Sequence, residues 1–206
     1  MTLSTLICFL GASVALTLAP GPDNLFVMTQ GIARGRRAAI CTALGMCSGI
    51  SIHTAAAALG ISALFYSSML AFNLVKFAGA CYLLYLAVQT LRTRSAPAPG
   101  EAEALSGAAL FRRGFIMNVL NPKVALFFLA FLPQFITPGT GRVPLQMLLL
   151  GSLFMVQAVV IFSAIGWFSG TIGRLLRTSP EMARRFDWLT AGIFTLLGLR
   201  LALAQR

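Results

Sequence analysis

Six apolar runs divide this chain of 206 residues, and its arginines crowd into every second gap between them. The runs cover roughly residues 3–28, 38–65, 69–91, 114–136, 144–170 and 186–205, each near the length of about 20 residues that a bilayer-spanning helix needs. The first gap carries Arg34, Arg36 and Arg37; the third carries Arg92, Arg94, Arg112 and Arg113; the fifth carries Arg174, Arg177, Arg184 and Arg185. The second gap has no arginine and the fourth only Arg142. Basic residues mark cytoplasmic loops, so these three gaps are expected inside and both termini outside. One missed or invented span would scramble the alternation. The expected fold is therefore an all-α integral membrane protein of six transmembrane helices.

Composition agrees. Hydrophobic residues make up 58% and charged residues 10%, against about 25% charged in soluble domains. Little chain remains for a soluble domain, and one membrane domain over 1–206 is expected. The net charge of +11 raises nucleic acid as a partner, but arginines held in loop gaps do not form a groove-lining surface. No nucleic acid is expected. Cys8, Cys41, Cys47 and Cys81 lie in apolar segments with no C-x-x-C spacing, which reads as core packing rather than metal or redox chemistry. No cofactor or metal site is expected. No basic stretch precedes the first apolar run, so that run reads as a span and not as a cleaved signal.

Two of the spans contain helix breakers beside a charge. In the first, Pro20-Gly21-Pro22-Asp23-Asn24 should unwind the helix near 19–24, because proline removes donors and glycine relaxes the backbone. Carbonyls around 16–18 would then need partners, and a second half-helix would start near Asp23 or Asn24, both good N-caps. Its amide end favours a carboxylate, while the freed carbonyls suit an ammonium. Asp23 is the only acid well inside a span. It is either an N-cap near the interface or a group that binds a substrate ammonium, a proton, or each in turn. In the fourth span Asn118, Asn121, Pro122 and Lys123 form the second break. Lys123 is the natural counter-charge for Asp23, unless it merely snorkels to the interface. Protonation of Asp23 would free Lys123 to hold a substrate carboxylate. Paired breaks in two halves of a chain point to a transporter's binding site.

The stretch around Ala96-Pro97-Ala98-Pro99-Gly100 reads as a flexible linker, giving half-repeats 1–91 and 109–206 joined by 92–108. Ala78-Gly79-Ala80 through Leu86 parallels Ala191-Gly192-Ile193 through Leu199, and Val14-Ala15-Leu16 parallels Val124-Ala125-Leu126. The second match sets Pro22 within a residue of Pro133. Three spans per half would invert one half relative to the other, an inverted repeat of 3+3 helices with the first helix of each half broken. His53, mid-way along the second span, is either a helix-packing hydrogen bonder or a proton relay. Lys76, near the outer end of the third, snorkels or forms a gate. Gly45 and Gly49 make a small-xxx-small pattern that lets helices pack closely. Arg200 is expected to snorkel.

These features together resemble the LysE/RhtB family of bacterial amino-acid exporters. The resemblance runs over almost the whole chain. It rests on Pro20-Gly21-Pro22-Asp23-Asn24, the series Gly31, Gly35, Gly45 and Gly49, Lys76-Phe77-Ala78-Gly79-Ala80-Cys81-Tyr82-Leu83-Leu84-Tyr85-Leu86, and Asn121-Pro122-Lys123. It implies export of amino acids or close derivatives by proton antiport, an inner-membrane location, and homodimers. Recognition of a cationic side chain would favour a second intramembrane acid, so a neutral cargo is favoured over a basic one. Two alternatives stand beside it: an exporter of another small metabolite or metal ion, and a membrane-embedded thiol redox enzyme. The first would want Cys, Met or His clusters for a soft metal, and the second paired cysteines.

Overall fold

The computed structural model describes residues 1–19, 21–61, 69–92, 105–137 and 142–203, and their regular structure is helical throughout. Pro20, the end of the second expected span and most of the expected linker lie outside the described residues.

The first break falls where the sequence places it. Helix α1 (Leu3–Leu18) stops there, and α2 (Pro22–Arg34) resumes at 55° to it. Pro22 is the first residue of α2, where its missing N–H has no intrahelical partner to lose. The N-cap is therefore Gly21, without a side-chain cap, and not Asp23 or Asn24. Asp23 sits one residue further in, within the first turn. The gap to α3 (Arg36–Ala56) is the single residue Gly35, whose φ of +84° suits glycine. Helix α3 ends in a π-helical turn, Ala57–Ile61, and α4 spans Met69–Arg92.

The second half begins with α5 (Gly107–Val119) and breaks at Leu120 and Asn121. Helix α6 (Pro122–Leu126) continues into a π turn, Phe127–Phe131, and a 3₁₀ turn, Leu132–Phe135, the whole bent 46° from α5. Pro133 removes one ladder donor, and helix type changes around it. Helices α7 (Val143–Thr178) and α8 (Pro180–Ala202) complete the chain. Pro122 heads its half-helix as Pro22 does. Pro133, the residue expected to match Pro22, lies instead inside the 3₁₀ turn and heads no helix.

Most arginine-rich gaps prove short. The expected gap 171–185 is helical apart from Ser179, and the first expected span runs on to Arg34. Among the described residues, Arg36–Leu59 and Val143–Ile172 are long and apolar enough to cross a bilayer, and the two bent pairs bring the number to four.

The surface is apolar, and the largely apolar core also holds several polar and charged side chains. Leu145, Leu148, Val156 and Val160 of α7 and Leu196 and Leu199 of α8 face outward, whereas Ser13, Thr17, Asp23, Asn24 and Lys123 are buried. Cysteine divides between the two: Cys47 is buried, but Cys8 and Cys81 are exposed. They belong to the apolar surface, which corrects the expectation that all four cysteines pack in the core.

Glycines set the closest crossings. A Cβ at Gly45 would collide with the Phe111 carbonyl, one at Gly114 with that of Thr42, and one at Gly49 would lie 2.8 Å from Asn118 Oδ1. Helices α3 and α5, from opposite halves, are thus in backbone contact. Gly31 on α2 meets Ser169 of α7, and Gly107 lies 3.5 Å (from an added Cβ) from the Cys41 sulfur. The Arg36 guanidinium stacks 4.9 Å from the Trp167 ring. Among the described residues, helix ends beside the three basic gaps thus lie near one another.

Candidate functional site

The two breaks meet through one ion pair. Lys123 Nζ lies 2.9 Å from Asp23 Oδ2 and donates to Asp23 Oδ1 at 3.0 Å, across 100 residues of sequence. Both residues are only 2% exposed. Lys123 Nζ also donates to the Ala19 carbonyl at 3.2 Å, a group that the break releases from the α1 ladder. The neighbouring carbonyls of Thr17 and Leu18 accept from Asn24 Nδ2 at 2.9 and 3.4 Å. The carbonyls freed by the break are thus 17–19, and protein side chains satisfy them.

The pair is held by local chemistry at both ends. Asp23 Oδ1 accepts the Asn24 backbone N–H at 3.1 Å, in the positively polarised first turn of α2, where a carboxylate is favoured. Lys123 occupies the matching first turn of α6, which disfavours a cation; Asp23 and the Ala19 carbonyl offset that. Asn121 caps α6 by accepting the Lys123 N–H at 3.0 Å, with Pro122 as first residue. A Cβ on Gly21 would lie 2.7 Å from Asp23 Oδ1 and 3.1 Å from Lys123 Nζ. Glycine is therefore required there to let the two charges meet. Pro20 lies outside the described residues.

His53 lies beside the second break. Its Nε2 donates to the Asn118 carbonyl at 3.1 Å, a carbonyl at the end of α5 that also takes the Asn121 N–H at 2.9 Å. The imidazole so ties α3 to the broken end of α5. Lys76 stands apart: it is half-buried on α4 with its ammonium 4.6 Å from the Phe77 ring centroid, and it does not line the cleft described next. Arg200 reaches over Phe131 and Phe135, 5.7 Å from each ring centroid.

A cleft of about 480 Å³ opens beside the breaks, lined by Asp23 and Phe26 of α2, Met46 of α3, Arg113, Ile116 and Met117 of α5, and the break itself. It is mostly apolar and draws on both halves of the chain. Helices α2 and α5, the arms between the basic end and the breaks, each have 13 residues, about 20 Å of helix. The breaks therefore sit at one depth, and the cleft occupies the basic side of them. On the other side of the breaks the interior is packed with phenylalanine. Phe9, Phe127, Phe131 and Phe135 pack at centroid distances of 5.1 to 6.1 Å, mostly tilted or edge-to-face, and Phe154 packs 5.2 Å from Phe127.

Several members of this arrangement are not evident from sequence. Thr17 bridges the halves by accepting Gln157 Nε2 at 3.0 Å. Ser13 and Thr17, four residues apart, form a buried polar stripe on α1. Arg113, Ile116, Met117 and Leu120 form a single stripe on α5 with i, i+3, i+4, i+7 spacing, and that spacing is the signal that identifies the cleft wall. Asp187, at the edge of the expected sixth span, is also buried, so Asp23 is not the only acid inside a helix bundle of this kind.

Comparison with known proteins shows the family. The model of the LysE type translocator family matches residues 14–205. An uncharacterized membrane protein of Vibrio cholerae is 33% identical, with all of both chains covered. A homoserine/homoserine lactone efflux protein of Salmonella typhimurium is 32% identical over all of this chain and 99% of its own. A leucine efflux protein of an Enterobacter species is 29% identical over 91% of this chain and 90% of its own. No solved structure matches the chain with significance. With broken helices joined by a buried charge pair and a family match over nearly its whole length, the chain belongs to the LysE family of membrane translocators.

Proposed function

We propose that this protein is a secondary-active exporter that moves neutral amino acids or close derivatives out of the cytoplasm in exchange for protons. The observation that carries this reading is the buried Asp23–Lys123 pair joining the two helix breaks. A charge at bilayer depth is costly and is kept where it binds or couples. On this reading the chain is one transporter domain of six spans in the inner membrane, with half-repeats 1–91 and 109–206 inverted relative to each other. Both termini face outward, and dimerisation is compatible with the apolar surface. The placement of Pro22-Asp23 and Pro122-Lys123 at equivalent points of two bent helices supports the repeat.

The mechanism follows from the bonds. With Asp23 ionised, Lys123 is held by the carboxylate and the Ala19 carbonyl. Cargo from the cytoplasm competes for this pair, its ammonium taking the Asp23 carboxylate and its carboxylate taking Lys123. After release outside, a proton takes Asp23 for the return, so cargo and proton occupy the same carboxylate in turn. The Ala19 carbonyl, once Lys123 turns away from it, and the unpartnered buried oxygen Asn24 Oδ1 are further acceptors for that ammonium. The positive-inside rule makes the cleft side cytoplasmic. The form described here is then open to the cytoplasm, with the phenylalanine cluster as the outer seal. The apolar lining of Phe26, Met46, Ile116 and Met117 favours a neutral side chain. The names of the leucine and homoserine efflux relatives support the same cargo class.

The test is reconstitution into liposomes loaded with a mixture of amino acids, with the outside made acidic. Gradient-dependent loss of one or more neutral amino acids is expected. Retention of every amino acid regardless of the gradient would overturn the reading.

A further inference from the structure

We infer that Arg113 forms a separate entrance station that captures the carboxylate of the cargo before the cargo reaches Asp23 and Lys123. This rests on the export reading above and deepens it. The first ground is charge. Of the three ionised groups at or beside the cleft, Asp23 and Lys123 neutralise each other at 2.9 Å. Arg113 lines the same cleft and has no ion-pair partner among the described residues. An uncompensated cation on the wall of an apolar pocket draws anions into it. Its planar fork matches a carboxylate through two parallel hydrogen bonds.

The second ground is distance. Arg113 precedes Leu120, the last cleft residue before Asn121, by two turns of α5, which is about 10 Å along the helix. Cargo entering from the basic end therefore meets Arg113 before it meets the buried pair. The two cations act in sequence: Arg113 first, nearer the basic end, and Lys123 second, at the break. Ile116 and Met117, on the same stripe between them, give an uncharged side chain an apolar track.

Sequential stations make a kinetic distinction. Loss of the first station weakens capture but leaves the turnover step at Asp23 intact, so KM rises while kcat holds. The effect is confined to cargo with a free carboxylate. The experiment measures export from proteoliposomes for wild type, Arg113→Gln and Arg113→Lys, using leucine against leucinamide and homoserine against homoserine lactone. Arg113→Gln is expected to raise KM for leucine and homoserine about tenfold, the scale of one charge-assisted hydrogen-bonded contact. It should leave kcat, and both parameters for the amide and the lactone, within about twofold. Arg113→Lys should recover part of the affinity, since it keeps the charge and loses the fork. An unchanged KM for the free amino acids would overturn the inference, as would an equal loss for cargo with and without a carboxylate, which is the signature of a purely topological or lipid-binding arginine. If wild type moves none of the four compounds, the export reading itself fails, a result distinct from either of these.

Discussion

Asp23 and Lys123 are each almost fully buried, and the chemistry of that burial makes the pair sensitive to half-deletion. Removing one member of a buried ion pair leaves the other uncompensated and typically costs about 3–5 kcal/mol, whereas replacing both is far milder. Lys123→Met should therefore lower the thermal unfolding midpoint in detergent well below wild type. The double variant Asp23→Asn with Lys123→Met should recover most of the loss. Equal midpoints for the single and double variants would show that the two charges are not coupled. Gly21→Ala acts on the same pair sterically, because its new methyl would press on Asp23 Oδ1 and Lys123 Nζ. Export is expected to fall about tenfold, the equivalent of roughly 1.4 kcal/mol, while the amount of protein in the membrane holds. At this scale sequence carries much of the information. Opposite charge and matching helix breakers are enough to bring Asp23 and Lys123 to mind as partners. The roles of Thr17 and Gln157 are not legible, since a threonine and a glutamine in apolar runs carry no spacing signal until the halves are folded together.

Elements show where apolar sequence misleads. Helix interiors are fixed by composition, but their ends depend on caps and on glycine. Asp23 looks like an N-cap, yet proline's preference for the first helical position moves the cap back to Gly21. The Gly79 and Gly192 pairing in the apparent repeat has no counterpart in packing: Gly79 lies against Leu201, whereas Gly192 faces open space and Gly198 is the residue against α4. Small residues recur in membrane helices for several reasons, so their alignment is weak evidence of equivalence. The crossing of α3 and α5 makes a sharper prediction. Gly45→Ala must push α3 off the Phe111 carbonyl, an overpacking cost of about 1–3 kcal/mol, and should lower the unfolding midpoint. Gly192→Ala, with nothing nearby, should leave it unchanged or slightly raised. Thermal unfolding of the two variants side by side checks this.

For the whole molecule, the arginine pattern is the most informative feature of the sequence, because it constrains all helices at once. Described helix ends beside the basic gaps lie near one another, and two 13-residue arms lead from them to the breaks. Cleft on one side and phenylalanine cluster on the other then give the molecule a direction. Replacing all four cysteines with alanine should leave export intact, since Cys8 and Cys81 face outward and Cys47 is a small buried apolar residue. In that background a cysteine at Arg36 is expected to react with a membrane-impermeant thiol reagent only from the cytoplasmic side, and one at Thr2 only from outside. The reverse pattern would turn the cleft outward and contradict export.

The central claim is that the charge pair between the two breaks couples protons to cargo. The most direct measurement compares wild type and Asp23→Asn in proteoliposomes loaded with the amino acid that wild type exports, with the outside at a series of pH values. Wild-type efflux should accelerate as the outside is acidified, and the Asp23→Asn protein, although inserted and folded, should show no dependence on the gradient. Efflux by Asp23→Asn that keeps the wild-type response to pH would contradict the account and leave Asp23 as a structural brace for the first break.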